Sequence, residues 1–186
     1  MTDTFRTSRT VSSIDPGKPH LILVGLPGSG KSTVGALVGE KLNRTFLDFD
    51  VEIERREGMP LAQIFGERGE AGFRALERTL TEELKVFGNM VVAPGGGWVS
   101  APEVVALLRP PARLVYLRVR PEMALQRLGG AGGRPLLSHP DPLGELKRLF
   151  ESRKQAYQSA DLEIGTELLT PQQVADQIVE KLAALK

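Results

Sequence analysis

Lys31 and Ser32 close the run Gly25-Leu26-Pro27-Gly28-Ser29-Gly30-Lys31-Ser32-Thr33, which fits G-x-x-x-x-G-K-[ST] at every required position. A loop of this kind holds the phosphates of a nucleotide. Bare glycines let backbone N–H groups approach phosphate oxygens closely. A helix opening directly after the loop adds free N–H groups and the positive end of its dipole. The expected phosphate-binding set is Gly28, Ser29, Gly30, Lys31, Ser32 and Thr33. Lys31 would reach the β- and γ-phosphates, and the Ser32 hydroxyl would ligate Mg²⁺.

A second group of reactive side chains is acidic. Thr45 to Asp50 reads as a strand ending in Asp48 and Asp50, spaced so that both point to one side. Open α/β sheets bind ligands at such strand ends. Two carboxylates there suit a Mg²⁺ ligand and a group that orients a substrate hydroxyl. Asp50 could instead cap a helix starting near Val51, or do both. The third group is basic: Arg74, Arg134 and Arg153 come from three separate segments. Together they point to an anionic acceptor, or to stabilisation of phosphate charge. Arg74 and Glu77 are at i, i+3, close enough to pair, either on the surface or as an arginine held in place for a ligand. Pro94-Gly95-Gly96-Gly97-Trp98 carries three successive glycines, which fits either close approach of a ligand or a tight turn.

The elements that must position these groups follow from periodicity. Leu21–Val24 is an apolar run fitting a buried strand, and Thr33–Leu42 has apolar residues at helical spacing. A short helix over Val51–Glu57 ends at Gly58, and Pro60 opens another that Gly66 and Gly69 interrupt. Phe73, Leu76, Leu80, Leu84 and Phe87 form one helical stripe over Glu70–Phe87. Strands are expected at Asn89–Ala93, Arg113–Val119 and Ala160–Ile164, with helices at Pro102–Arg109, Pro121–Leu128, Pro142–Tyr157 and Pro171–Lys186. The glycine- and proline-rich stretch around 130–142 holds Arg134 and has the length of a mobile lid. The fold class is therefore α/β: a three-layer αβα P-loop fold with a five-stranded parallel sheet and a mobile lid. Residues 1–19 read as a flexible tail, in which Arg6 and Arg9 could touch a partner but are more simply solvated, and 20–186 as a single P-loop domain.

Composition narrows the function classes. The 186 residues carry a formal net charge of +1 and no cysteine. The balanced charge advertises neither nucleic acid nor an acidic membrane. Disulfides and thiolate metal sites are excluded, which suits a cytoplasmic protein. No apolar run reaches the roughly 20 residues needed to span a bilayer. His20 and His139 lack metal-ligand neighbours in sequence, and a monomer is the expected state. The third strand ends without the acid that motor and transporter ATPases place there, and no Asn-Lys-x-Asp guanine reader exists. What remains is a small kinase acting on a small acceptor.

The sequence resembles the shikimate kinase family from about Leu21 to Leu182. The resemblance rests on the P-loop, on Leu47-Asp48-Phe49-Asp50, on Gly69-Glu70-x-x-Phe73-Arg74-x-x-Glu77, on Gly95-Gly96-Gly97, on Arg134-Pro135-Leu136-Leu137, and on Arg153 before Tyr157. It implies transfer of the ATP γ-phosphate to the 3-hydroxyl of shikimate, with Mg²⁺. It also implies a shikimate site of Asp50, Arg74, Gly96, Gly97 and Arg153, with Glu77 orienting Arg74. Lys31, Arg134 and Mg²⁺ would neutralise the transferring phosphoryl group, with Ser32 and Asp48 holding the metal. Arg127 and Pro171 would flank adenine. Pro94 departs from a ligand-binding turn because it has no N–H. Trp98 is bulky beside the glycines, where it could touch substrate. A gluconate-type kinase and a nucleotide-binding module without catalysis are the alternatives.

Overall fold

The computed structural model describes residues 18–129 and 140–185. Five parallel strands form one sheet: β1 (Leu21–Val24), β2 (Phe46–Asp48), β3 (Val91–Ala93), β4 (Arg113–Arg118) and β5 (Leu162–Gly165). Their order across the sheet is β2-β3-β1-β4-β5. β1 is central, pairing Leu21 with Val91 of β3 and with Arg113 of β4. From β1 the chain passes to the edge strand β2, returns to β3 beside β1, and then crosses to β4 and β5 on the other side, so a crevice opens at the carboxyl end of the sheet beside β1.

The helices are α1 (Lys31–Leu42), α2 (Phe49–Glu57), α3 (Leu61–Leu84), α4 (Pro102–Val105), α5 (Pro121–Leu128), α6 (Pro142–Gln158) and α7 (Pro171–Ala184). Alternation along β1 assigns them to layers. Leu21 and Leu23 face Val34 and Val38 of α1 and Val174 and Ile178 of α7. Ile22 and Val24 face the opposite layer, with Ile53, Phe73, Leu80, Trp98 and Tyr157. A smaller cluster of Leu26, Val119, Ala124, Leu146 and Leu149 packs α5 and α6 near the P-loop. Both faces of β1 are buried, which is why it reads as an unbroken apolar run.

Several boundaries differ from the sequence reading. β2 stops at Asp48, because the Asp48 side chain caps α2 and accepts from the Asp50 and Val51 N–H groups. Asp50 therefore lies in the first turn of α2, not on a strand beside Asp48. α1 begins at Lys31 and α4 is one turn long. Gly66 stays helical inside α3, whereas Gly69 breaks it with φ 65° and ψ −175°. Ahead of β1, Lys18 O accepts from Asn89 N–H and Pro19 O accepts from Arg44, pinning this segment at the amino edge of the sheet. Residues 1–17 and the expected lid, including Arg134, lie outside the described residues apart from 140–142.

Candidate active site

Every catalytic candidate among the described residues follows a strand's carboxyl end or stands on a helix facing it. The P-loop joins β1 to α1. Gly28 and Gly30 take φ 81° and 97°, in the left-handed region where a side chain is costly. At Gly28 an added Cβ would also come within 2.5 Å of Ala124 O. No side chain caps α1 and no acid occupies its first turn, so its N-terminal amides are left for an anion. Lys31 Nζ donates to Gly25 O at 3.0 Å and to Leu26 O at 3.2 Å, which holds the ammonium over the loop.

Two clefts adjoin here. The first, of about 360 Å³, is lined by Gly28, Gly30, Lys31, Ser32, Thr33, Asp48, Asp50, Arg127 and Pro171. The second, of about 480 Å³, is lined by Arg74, Arg153, Gly95, Gly96, Gly97, Leu61, Phe65 and Phe73 among others. Pro27, Asp50 and Gly96 line both. Asp50 thus stands where the two cavities meet. Ser29 and Glu77 line neither cleft: both are buried, Ser29 under the loop and Glu77 behind Arg74. Arg127 bonds Thr166 through Oγ1 at 2.9 Å and through the backbone carbonyl, tying α5 to the loop before Pro171.

The basic side of the second cleft is built from the middle of α3 and α6. Arg74 Nη1 donates to Glu77, and Arg74 Nη2 donates to Glu70 at 3.1 Å. Glu77 is only 2% exposed, so this is no surface ion pair. Burial pushes the Glu77 carboxyl up; Arg74 opposes the rise without cancelling it, and the Asp50 charge adds to it. Burial also opposes the Arg74 charge, but Glu77 and Glu70 outweigh that and hold the guanidinium above its usual range. The glycine turn explains itself against this pair. A Cβ at Gly95 would overlap the Glu77 carboxylate, and one at Gly97 would overlap the Arg74 guanidinium. A Cβ at Gly96 would stand 3.3 Å from Arg153 Nη1. The bare backbone is required first by the arginines, whatever else approaches it.

Arg153 is buried to 7% exposure, and its Nη1 has no hydrogen-bond partner among the described residues. Glu77 Oε1, the Tyr157 hydroxyl and Ser29 Oγ likewise make no well-formed hydrogen bond, although the Gly95 N–H stands near the Glu77 carboxylate and Arg153 near the Tyr157 hydroxyl. All four stand at the P-loop or on the helices around the glycine turn. Buried polar atoms are rarely left unpaired, and a cluster of them marks a place built for a polar ligand or water.

Trp98 lines neither cleft. It is 2% exposed and packs in the core, with its Nε1–H donating to Thr81 Oγ1 at 2.9 Å. Phe73, read from the sequence as part of a helical apolar stripe, stacks on Phe65 at 4.6 Å, and the two form an apolar wall of the second cleft. Glu145 and Arg148, paired with each other on α6, also line it. Their helical spacing alone carried no sign of this.

The profile of the shikimate kinase family matches residues 27–183. The chain is 39% identical over 160 residues to a shikimate kinase of Caldicellulosiruptor saccharolyticus, covering 86% of this chain and 93% of that one. Its fold superposes on a solved shikimate kinase from Acinetobacter baumannii in complex with shikimate, with a TM-score of 0.87, 35% identity, and coverage of 92% and 96%. A gluconokinase from Sinorhizobium meliloti shares the fold at a TM-score of 0.61 but only 16% identity, covering 90% of this chain and 93% of that one. With a built phosphate loop, a cationic second cleft and this extent of similarity, the chain belongs to the shikimate kinase family.

Proposed function

We propose that the two clefts hold ATP and shikimate, and that phosphoryl transfer occurs where they meet at Asp50. The observation that carries this reading is that shared wall, with the P-loop on one side and Arg74 and Arg153 on the other. Transfer needs positioning and charge neutralisation more than covalent chemistry. Arg153, with its open Nη1, and Arg74, braced by Glu77, bind the acceptor carboxylate. That anchors the ring with its 3-hydroxyl toward Asp50. Asp50 accepts the hydroxyl proton as the oxygen bonds to the γ-phosphorus, the bond to the β,γ-bridging oxygen breaks, and ADP leaves. Lys31 exchanges its two P-loop carbonyls for phosphate oxygens and neutralises the transferring group.

The donor set fits Mg²⁺. Ser32 and Asp48 place hard oxygens on the first cleft, and Asp48 spends Oδ1 on the α2 cap, leaving its other oxygen. Among the described residues no cluster of three or more His, Cys, Asp or Glu could hold a metal, so a bound Mg²⁺ would draw its remaining oxygens from phosphate and water. When bound, the ion supplies charge neutralisation on the phosphate oxygens. Arg127 and Pro171 border the adenine end, and Arg134 remains assigned to phosphate from sequence alone. We read the protein as a cytoplasmic monomer; no helix of the described residues is long and apolar enough to cross a membrane.

The test is ADP release from Mg·ATP with shikimate, with gluconate and with no acceptor. Release dependent on shikimate is expected. Release with gluconate alone would move the protein to another acceptor. Absence of acceptor-dependent release from folded, ATP-binding protein would leave a nucleotide-binding module.

A further inference from the structure

Two of the three arginines on the second cleft stand on different helices, Arg74 on α3 and Arg153 on α6, and neither pairs with the other. What lies between them is the Gly95–Gly97 turn. Gly97 is packed against the Arg74 guanidinium and Gly96 against Arg153 Nη1. The turn therefore acts as the spacer that sets the distance between the two cations. Glycine backbone is the least rigid material for such a task. Something outside the turn must hold it.

The structure supplies a holder directly after it. Trp98 closes the turn through its own N–H, which donates to Gly95 O at 3.0 Å, and Ser100 N–H donates to Gly97 O at 3.0 Å. The Trp98 ring then runs into the core, where Nε1–H donates to Thr81 Oγ1 at 2.9 Å. Thr81 is fully buried, and its hydroxyl donates in turn to Glu77 O at 2.7 Å. The hydroxyl is used as both donor and acceptor, so the link leaves nothing unsatisfied. It ends on the backbone of the residue whose carboxylate braces Arg74. Arg74, Glu77 and Thr81, at i, i+3 and i+7, lie along one face of α3.

We propose that Trp98 and Thr81 form a positioning strut that fixes the glycine turn on α3, and so sets the Arg74-to-Arg153 spacing on which recognition of the acceptor carboxylate depends. The part concerning the acceptor rests on the shikimate reading above. The strut itself is testable without it.

The experiment compares Thr81→Val, Thr81→Ser and Trp98→Phe with wild type. Valine keeps the shape and removes the hydroxyl; serine keeps the hydroxyl. Ile178→Val, in the core on the other side of the sheet, controls for loss of stability alone. Hydrogen exchange at the Trp98 and Ser100 amides is read first, without substrate. Thr81→Val and Trp98→Phe are expected to speed it at least tenfold, Thr81→Ser and Ile178→Val to leave it near wild type. Steady-state kinetics should then show a fivefold or larger rise in KM for shikimate in the first two variants, with KM for ATP and kcat within twofold. Unchanged exchange in Thr81→Val, or equal effects from Ile178→Val, would overturn the strut. A wild-type enzyme without shikimate-dependent turnover would instead overturn the acceptor reading, with the exchange result still deciding the strut.

Discussion

Asp50 and Arg153 show how much a single side chain is asked to do. Asp50 sits in the first turn of α2, where the helix dipole favours a carboxylate, and on the shared wall of both clefts. Asp50→Asn should keep the fold and ATP binding but lower kcat by about 10²–10⁴, the usual contribution of a positioned base; turnover within a few-fold of wild type would remove Asp50 from proton transfer. Arg153 is a buried cation beside the Tyr157 hydroxyl, on the wall of the second cleft. Arg153→Met should abolish productive use of shikimate while ATP still binds; unchanged turnover would remove Arg153 from the acceptor site. The sequence put Arg153 forward as a candidate and the structure places it on the second cleft, but the depth of Glu77 behind Arg74 was not legible. Spacing at i, i+3 reports adjacency on a helix and carries no information about what covers the pair.

At the scale of elements, a turn and a strand lead carry the next expectations. Gly97→Ala would drive a methyl into the Arg74 guanidinium. Displacing a binding group by about 1 Å can cost on the order of 10²-fold in rate, so kcat/KM for shikimate should fall by about that factor, with ATP binding retained. His20, ahead of β1, pairs its Nε2 with Leu84 O at 3.1 Å and accepts from Met90 N–H through Nδ1, linking the end of α3 to β3. Burial is the main cause holding its pKa below 6.5, with Arg44 adding to it. A depressed folded pKa means the unfolded chain binds the proton more tightly. The stability from neutral His20 is thus complete above about pH 6.5 and is lost as pH falls through the folded value. Urea midpoints from pH 7.5 to 5 should decline in wild type and flatten in His20→Gln; parallel curves would assign the decline to other groups. The elements were largely readable, since strand runs, Gly58 and the helix-opening prolines are local signals. The β2–α2 boundary was not, because a strand-like run continues through the cap at Asp48. Nor was the inward course of Trp98, whose partner Thr81 comes from another element.

For the whole molecule, the order β2-β3-β1-β4-β5 gathers the P-loop, Asp48, the glycine turn and the loop before Pro171 at one edge of the sheet. That convergence followed from the βα alternation and the P-loop, which is why the architecture could be anticipated. The separation into two clefts could not, because it depends on where α3 and α6 come to stand around the glycine turn. Ligands that bind only the folded state stabilise it by mass action. At a hundred times its Kd, shikimate should add about 2.7 kcal/mol, or roughly 5–10 °C in melting temperature for a chain of this size. Arg153→Met should lose that shift, and a retained shift would place the acceptor elsewhere.

The segment ahead of β1 is pinned at the opposite edge of the sheet, through Lys18 and Pro19. α7 starts at the site with Pro171 and runs back toward that same edge by Ala184. A fluorophore or a surface linker placed at Lys18 or at Leu185 would therefore stand on the side away from both clefts, with the substrates free to arrive from the other side.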